Sequence, residues 1–128
     1  MMWLSILAFL ALITVIVVAV LSVRRKRLSP QKRAHLLSQW RNVATISDPV
    51  RRVFEAEKVV DVLLMELRFR GSFADKLKAA GPLLGDVQPL WNAHKVRNRL
   101  AHEVGFVVSE EESRRAVAAF ERTVRRFI

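Results

Sequence analysis

An uncharged, apolar run over residues 3–23 is the feature that most constrains how this chain can fold. It reads WLSILAFLALITVIVVAVLSV and contains no Asp, Glu, Lys or Arg. As an α-helix it would extend about 31 Å, close to the ~30 Å hydrocarbon core of a bilayer. A buried helix of a soluble protein does not need apolar residues all round. A cleaved signal peptide carries its bases before a shorter apolar run. The sequence therefore predicts one transmembrane anchor over residues 1–23.

Basic residues follow this run directly, at Arg24, Arg25, Lys26 and Arg27. We expect these four side chains to contact anionic lipid headgroups, and residues 24–28 to form a basic juxtamembrane linker. Residues 1–33 contain six Lys or Arg and no acid, whereas the rest of the chain carries sixteen bases against twelve acids. By the positive-inside rule, the N-terminus lies outside the inner (plasma) membrane and the C-terminal part lies in the cytoplasm.

Residues 29–128 carry the signals of an all-α domain. The chain has no cysteine and only four glycines and four prolines, which disfavours a disulfide scaffold or a many-turned β-fold. Capping residues or N-terminal prolines mark five helix starts, at Ser29, Asp48, Ser72, Pro89 and Ser109. The fold class is therefore predicted to be one transmembrane helix followed by a four- to five-helix antiparallel bundle.

Helix ends and inward faces are also predicted from glycines and apolar spacing. The helix that begins at Asp48 should run to about Arg70 and stop at Gly71, and the next should end near Gly81. The helix from Pro89 should end before Gly105. In the first helix of the bundle, the apolar residues at helical spacing are Ala34, Leu37, Trp40 and Ala44.

Charged residues fall on two of the predicted inward faces. Glu57 and Asp61 lie within the arc formed by Val50, Val53, Phe54, Val60, Leu64 and Leu67. Arg97 lies within the arc formed by Leu90, Ala93, Leu100, Ala101 and Val104. Because an unpaired buried charge is costly, these three side chains are predicted to form one buried ion cluster. Such a cluster would either fix helix register or line a functional pocket. A metal site is not expected, because no histidine joins the acids on the same face.

A polar stripe occupies the helix that starts at Pro89, with His94, Asn98 and His102 four residues apart. The surrounding segment, WNAHKVRNRLAHE, resembles the signature of the HEPN (higher eukaryotes and prokaryotes nucleotide-binding) superfamily. That signature is an Arg, four to six residues and a His, often with a polar residue directly after the Arg. Arg97, Asn98 and His102 match it.

The resemblance implies an all-α domain whose homodimer brings two motifs together across a two-fold axis. Some HEPN members are metal-independent endoribonucleases, which would make Arg97, Asn98 and His102 catalytic. Others are RNA-binding or adaptor modules, in which His94, Lys95 and Arg99 would contact RNA. We expect a membrane-anchored interaction or scaffold module with RNA as a candidate ligand, with a ribonuclease acting near the inner membrane surface as the alternative. No cofactor, metal or small-molecule substrate is indicated.

Overall fold

The computed structural model describes residues 1–25 and 27–128, without the side chains of residues 22–25. Within that part, the chain forms six helices and no strand, which confirms the all-α prediction. The helices are α1 (Met2–Arg25), α2 (Pro30–Ala44), α3 (Pro49–Glu66), α4 (Phe73–Leu84), α5 (Gln88–His102) and α6 (Glu110–Phe127). Of the expected headgroup contacts, Lys26 and the side chains of Arg24 and Arg25 lie outside the described residues.

Helix α1 is long and apolar enough to cross a membrane. Its segment Met2–Leu21 has a mean hydropathy of 3.1 and buries nothing against the rest of the protein. A signal sequence near an N-terminus shares this length and composition. The hydroxyls of Ser5 and Thr14 donate to the carbonyls of Met1 and Leu10, at 3.3 and 2.8 Å, so neither side chain presents an unpaired donor to lipid.

The helix starts of the bundle follow the predicted capping chemistry. Ser29 and Asp48 accept backbone N–H groups at the starts of α2 and α3, each followed by proline in the first turn. Ser72 and Ser109 form reciprocal capping boxes, in which the carboxylates of Asp75 and Glu112 accept the backbone N–H of the capping serine. These contacts satisfy N–H groups that have no partner within the helix.

Two helix ends differ from the prediction. Helix α3 ends at Glu66 instead of near Arg70, because Arg68 adopts a left-handed conformation with φ of 70°. Helix α4 continues through Gly81 and Pro82 to Leu84. Proline removes a single hydrogen bond so near the helix end, and the chain turns only at Gly85, whose φ is 71°.

Helix α3 lies at the centre of the bundle and has its most extensive contact with α6. An ion pair between Lys32 and Glu66 joins the start of α2 to the end of α3, so these two helices are antiparallel. The Ser113 hydroxyl donates to the Pro49 carbonyl at 3.0 Å, which places the start of α6 beside the start of α3. Helices α3 and α6 therefore run in the same direction.

This arrangement gives the bundle two distinct ends. The anchor end contains the start of α2, the end of α3 and the end of α6. The motif end contains the starts of α3 and α6 and the end of α5. Because α3 and α6 each have 18 residues, the two ends are separated by about 27 Å along these helices.

The core is built from residues 28 onward and includes no residue from the described part of α1. Leu28, which the sequence assigned to the linker, is only 6% exposed. On α2 the buried residues are Leu36, Trp40 and Val43, so the inward face is rotated from the predicted one and Leu37 remains partly exposed. Both sets have helical spacing, but the observed set buries larger apolar side chains in place of two alanines.

Candidate functional site

Glu57 is the centre of a polar network inside the motif half of the bundle. It lies on α3, is 6% exposed, and contacts two side chains of α5. Its Oε2 lies 2.9 Å from His94 Nδ1, and its Oε1 lies 3.2 Å from Arg97 Nε. Burial raises the pKa of Glu57, while the hydrogen bond to His94 and the charges of His94 and Arg97 act in the opposite direction. The structure thus brings the predicted Glu57 and Arg97 together.

Asp61 belongs to a different ion pair. Its Oδ1 lies 2.6 Å from Lys76 Nζ on α4, and it has no ion pair with Arg97. Four residues advance about 6 Å along a helix, so Asp61 faces α4 while Glu57 faces α5. The predicted single cluster of Glu57, Asp61 and Arg97 is therefore two separate pairs on α3.

Lys76 was missed by the sequence argument, although its side chain is only 6% exposed. The signal was present in the spacing, because Lys76 shares the buried face of α4 with Leu77, Ala80 and Leu84. A lysine on an apolar face needs an acidic partner, and Asp61 is the acid opposite it.

His94 faces the core, in contrast to its predicted place on a surface stripe. Its side chain is 13% exposed and its ring centroid lies 4.8 Å from that of Phe73. Its Nε2 lies 3.2 Å from the Asn98 amide nitrogen. If that amide donates, Nε2 is the acceptor, and the Nδ1 proton points to Glu57. His94 therefore offers little surface to RNA. It contacts Glu57, although the sequence had placed the histidine and the acid on different faces.

Arg97 closes the network at its outer edge. Its guanidinium lies over the Phe54 ring, 5.1 Å from the centroid, and its Nη1 donates to Asn98 Oδ1 at 3.4 Å. About a third of the side chain is exposed. Arg97 is thus held by an acid, a ring and an amide, and only its edge reaches solvent. Within the described residues, no group of three or more metal-ligating side chains is placed to hold a metal ion.

His102 is exposed, unlike His94, and is the last residue of α5. It lines a shallow surface depression together with Asn98, Arg99 and Glu103. Arg99 donates to Glu103 at 2.9 Å, which lowers the pKa of that carboxyl, and its guanidinium stacks 3.8 Å from the centroid of Phe106. The structure therefore places Asn98 and His102 of the motif on one open surface.

Exposed apolar residues lie next to His102. Val104 is fully exposed and Val107 is 82% exposed, and Ala101 on the last turn of α5 is also exposed. The sequence placed Ala101 and Val104 on an inward arc. Helix α5 stops at His102 and the chain turns at Gly105, with φ of 78°, so Val104 lies beyond the helix on which it was expected to be buried. These three exposed residues, Ala101, Val104 and Val107, are together called the valine face below.

A separate groove of about 490 Å³ lies between α5 and α6. Its lining includes Gln88, Asn92, Val96, Arg115 and Arg122. None of the predicted site residues lines this groove, so it is distinct from the surface that holds Asn98 and His102.

Fold and site together define a small helical bundle, behind an apolar N-terminal helix, with a buried Glu–His–Arg network below an exposed histidine. The chain matches no protein-family model, no curated protein and no solved structure.

Proposed function

We propose that this chain is a membrane-anchored, HEPN-like domain that acts as a dimerising interaction module, with RNA as a candidate ligand. Helix α1 crosses the inner (plasma) membrane with the N-terminus outside, and the bundle lies in the cytoplasm. The hydropathy of α1 and the bases after it support this topology.

The observation that carries the proposal is the valine face. Among the described residues 27–128, Val104 and Val107 are the most exposed large apolar side chains, and burying a valine contributes about 1.5–3 kcal/mol. In a two-fold dimer each side chain is buried twice, once in each protomer. The HEPN resemblance implies a dimer at the same place, where the two His102 side chains would approach each other.

The network beneath this surface favours a scaffold over an enzyme. Arginine stabilises a phosphorane best when its guanidinium is free to form bidentate contacts. Here Glu57 contacts Arg97 Nε and Phe54 covers its face, so the arginine braces α5 against α3. The same contacts orient the last two turns of α5 and thus the valine face.

Cysteine cross-linking tests the dimer, because the chain has no cysteine of its own. In the full chain, Val107→Cys should form a disulfide-linked dimer under mild oxidation. Ser38→Cys, on the exposed side of α2, is the matched control and should stay monomeric. Adding Val104→Asp to the Val107→Cys chain should abolish the cross-link. Equal cross-linking at both cysteines would reject the proposed interface.

A metal-independent endoribonuclease is the second candidate, favoured by the shared surface of Asn98 and His102. In that reaction the ribose 2′-hydroxyl attacks the adjacent phosphate, the P–O5′ bond breaks and a 2′,3′-cyclic phosphate forms. One His102 of the dimer takes the 2′-hydroxyl proton, and the other gives a proton to the departing 5′-oxygen. The full chain should then cleave RNA in EDTA, and His102→Ala should lower the rate by about 10²–10⁴-fold. RNA affinity would persist in that variant, would depend on Lys95 and Arg99, and would fall with salt. A dimeric wild type that leaves RNA uncut rejects this candidate.

A further inference from the structure

The connection between α1 and the bundle is very short. Helix α1 ends at Arg25, and Leu28 is already buried in the core. Three residue steps extend at most about 11 Å. If α1 lies in the membrane, as the proposed function requires, Leu28 at the anchor end of the bundle stays within about that distance of the lipid headgroups.

Exposed arginines from three separate segments meet at this anchor end. Arg33 lies in the first turn of α2, Arg68 and Arg70 lie between α3 and α4, and Arg126 lies in the last turn of α6. The Lys32–Glu66 ion pair joins the first two segments. The parallel packing of α6 on α3 brings the third to the same end. We call Arg33, Arg68, Arg70 and Arg126 the arginine platform.

The platform is not neutralised by nearby acids. Glu66 is paired with Lys32, and Glu121 is paired with Arg125 at 2.7 Å. In the described part of the chain, none of the four platform arginines has a carboxylate within ion-pair distance.

The motif end carries acids and bases together. The first turn of α6 contains three consecutive glutamates, and two of them pair with arginines of the same end, Glu110 with Arg52 and Glu111 with Arg115. Charge is therefore mixed at the motif end, and the short tether determines which end of the bundle meets the membrane.

We infer that the arginine platform binds the anionic headgroups of the inner leaflet and holds the bundle upright on the membrane. The tether keeps Leu28, at the same end of the bundle as the platform, within about 11 Å of the headgroups, comparable to the ~8 Å Debye length at physiological salt. Each arginine near an anionic surface favours the docked state by about fivefold, equivalent to about 1 kcal/mol. Four arginines add to the attraction of the juxtamembrane bases.

The short tether favours lipid over RNA as the occupant. It keeps headgroups permanently near the platform, whereas RNA would have to enter a gap of about 11 Å between bundle and bilayer. Docking in this orientation leaves the valine face and His102 about 27 Å farther from the membrane, where a partner can reach them.

The test uses the full chain in lipid nanodiscs, with one fluorophore on one introduced cysteine. One label is placed on a cysteine appended after Ile128, at the anchor end, and the other on Ser47→Cys, at the motif end. Some lipids carry a quencher on the headgroup. The discs contain either zwitterionic lipid alone or zwitterionic lipid mixed with phosphatidylserine at about a third of the total. Phosphatidylserine is anionic and attracts basic segments.

Phosphatidylserine should increase quenching of the label after Ile128 and decrease quenching of the label at position 47, and high salt should reverse both changes. The platform variant, Arg33→Gln with Arg70→Gln and Arg126→Gln, should lower the docked-to-undocked ratio by about a hundredfold. The control variant neutralises three exposed arginines at other sites, Arg41→Gln, Arg51→Gln and Arg114→Gln, and should keep the response.

Quenching that is the same with and without phosphatidylserine would overturn the inference, as would an equal loss in both triple variants. If the platform variant instead loses RNA binding in zwitterionic discs while quenching is unchanged, the platform is an RNA surface and the inference fails. Each of these results leaves the proposed function intact when the chain still inserts into discs and Val107→Cys still cross-links. A chain that does not insert refutes both.

Discussion

Replacing Arg97 with alanine tests whether the Glu57 network stabilises the fold. The substitution removes the contact between Arg97 Nε and Glu57 Oε1, together with the stacking on Phe54. It leaves the His94 contact on Glu57 Oε2 in place. The buried carboxylate therefore loses one of its two partners.

The structure sets the expected size of this loss. Stranding a buried charge with no partner costs about 3–5 kcal/mol, but leaving one buried acceptor unsatisfied costs about 1–3 kcal/mol. The second case applies, because His94 remains and a third of the Arg97 side chain is already in solvent. Glu57 can also take up a proton, since burial raises its pKa. We expect Arg97→Ala to lower the free energy of unfolding by about 2 kcal/mol.

Thermal unfolding of the fragment 27–128, which retains Leu28 and the complete core, measures this effect by circular dichroism. For a domain of this size, about 2 kcal/mol corresponds to a fall in Tm of roughly 8–16 °C. Arg99→Ala is the matched control on the same helix, because its ion pair with Glu103 is exposed, and it should change Tm by no more than a few degrees.

A double substitution separates the network from simple loss of packing. Adding Glu57→Gln to Arg97→Ala removes the stranded charge and should recover about 1 kcal/mol. The reasoning is refuted if Arg97→Ala unfolds within a degree or two of wild type, or if Glu57→Gln worsens it additively.

The remaining predictions concern topology, proton linkage, capping and the exposed histidine. A reporter fused after Ile128 should be active in the cytoplasm, and activity on the outer side would contradict the topology. The pKa of Glu57 is raised in the folded state, so the stability of wild type relative to Glu57→Gln should be greatest below pH 4.5, the ordinary pKa of the side chain. This relative stability should fall as pH rises through the raised pKa, and urea titrations at several pH values measure it. Ser109→Ala should cost about 1 kcal/mol in the same titrations, and no loss would mean that the cap is dispensable. His102→Ala should stay within about 0.5–1 kcal/mol, so a large loss would place this side chain in the core.

The features that the sequence predicts well are local. Ser29, Asp48, Ser72 and Ser109 cap the helices that they were expected to cap, because a cap depends on residues within one turn. The buried face of α6, including Ala116, Phe120 and Val124, also follows its apolar spacing. Helix α6 has only one apolar face, whereas α2 has two overlapping sets of apolar residues at helical spacing, so its buried face could not be chosen from the sequence.

The partners of the buried charges could not be predicted from spacing alone. Periodicity shows that Glu57 and Asp61 face inward, but not that one meets α5 and the other α4. His94 was misplaced for the same reason. His94 lies at the border of the apolar arc of α5. Its side chain can face the core only because Glu57 on α3 provides a partner there.

The parallel packing of α3 on α6 also determines when the domain can form. Ser113 and Pro49, which join these helices, are 64 residues apart in the chain, so α6 is synthesised well after α3. At about 5–20 residues per second, the apolar side of α3 waits roughly 3–13 s for its main partner. If α1 enters the bilayer as proposed, this interval passes with an incomplete core held within reach of lipid. A chain that terminates before α6 would keep that side of α3 uncovered.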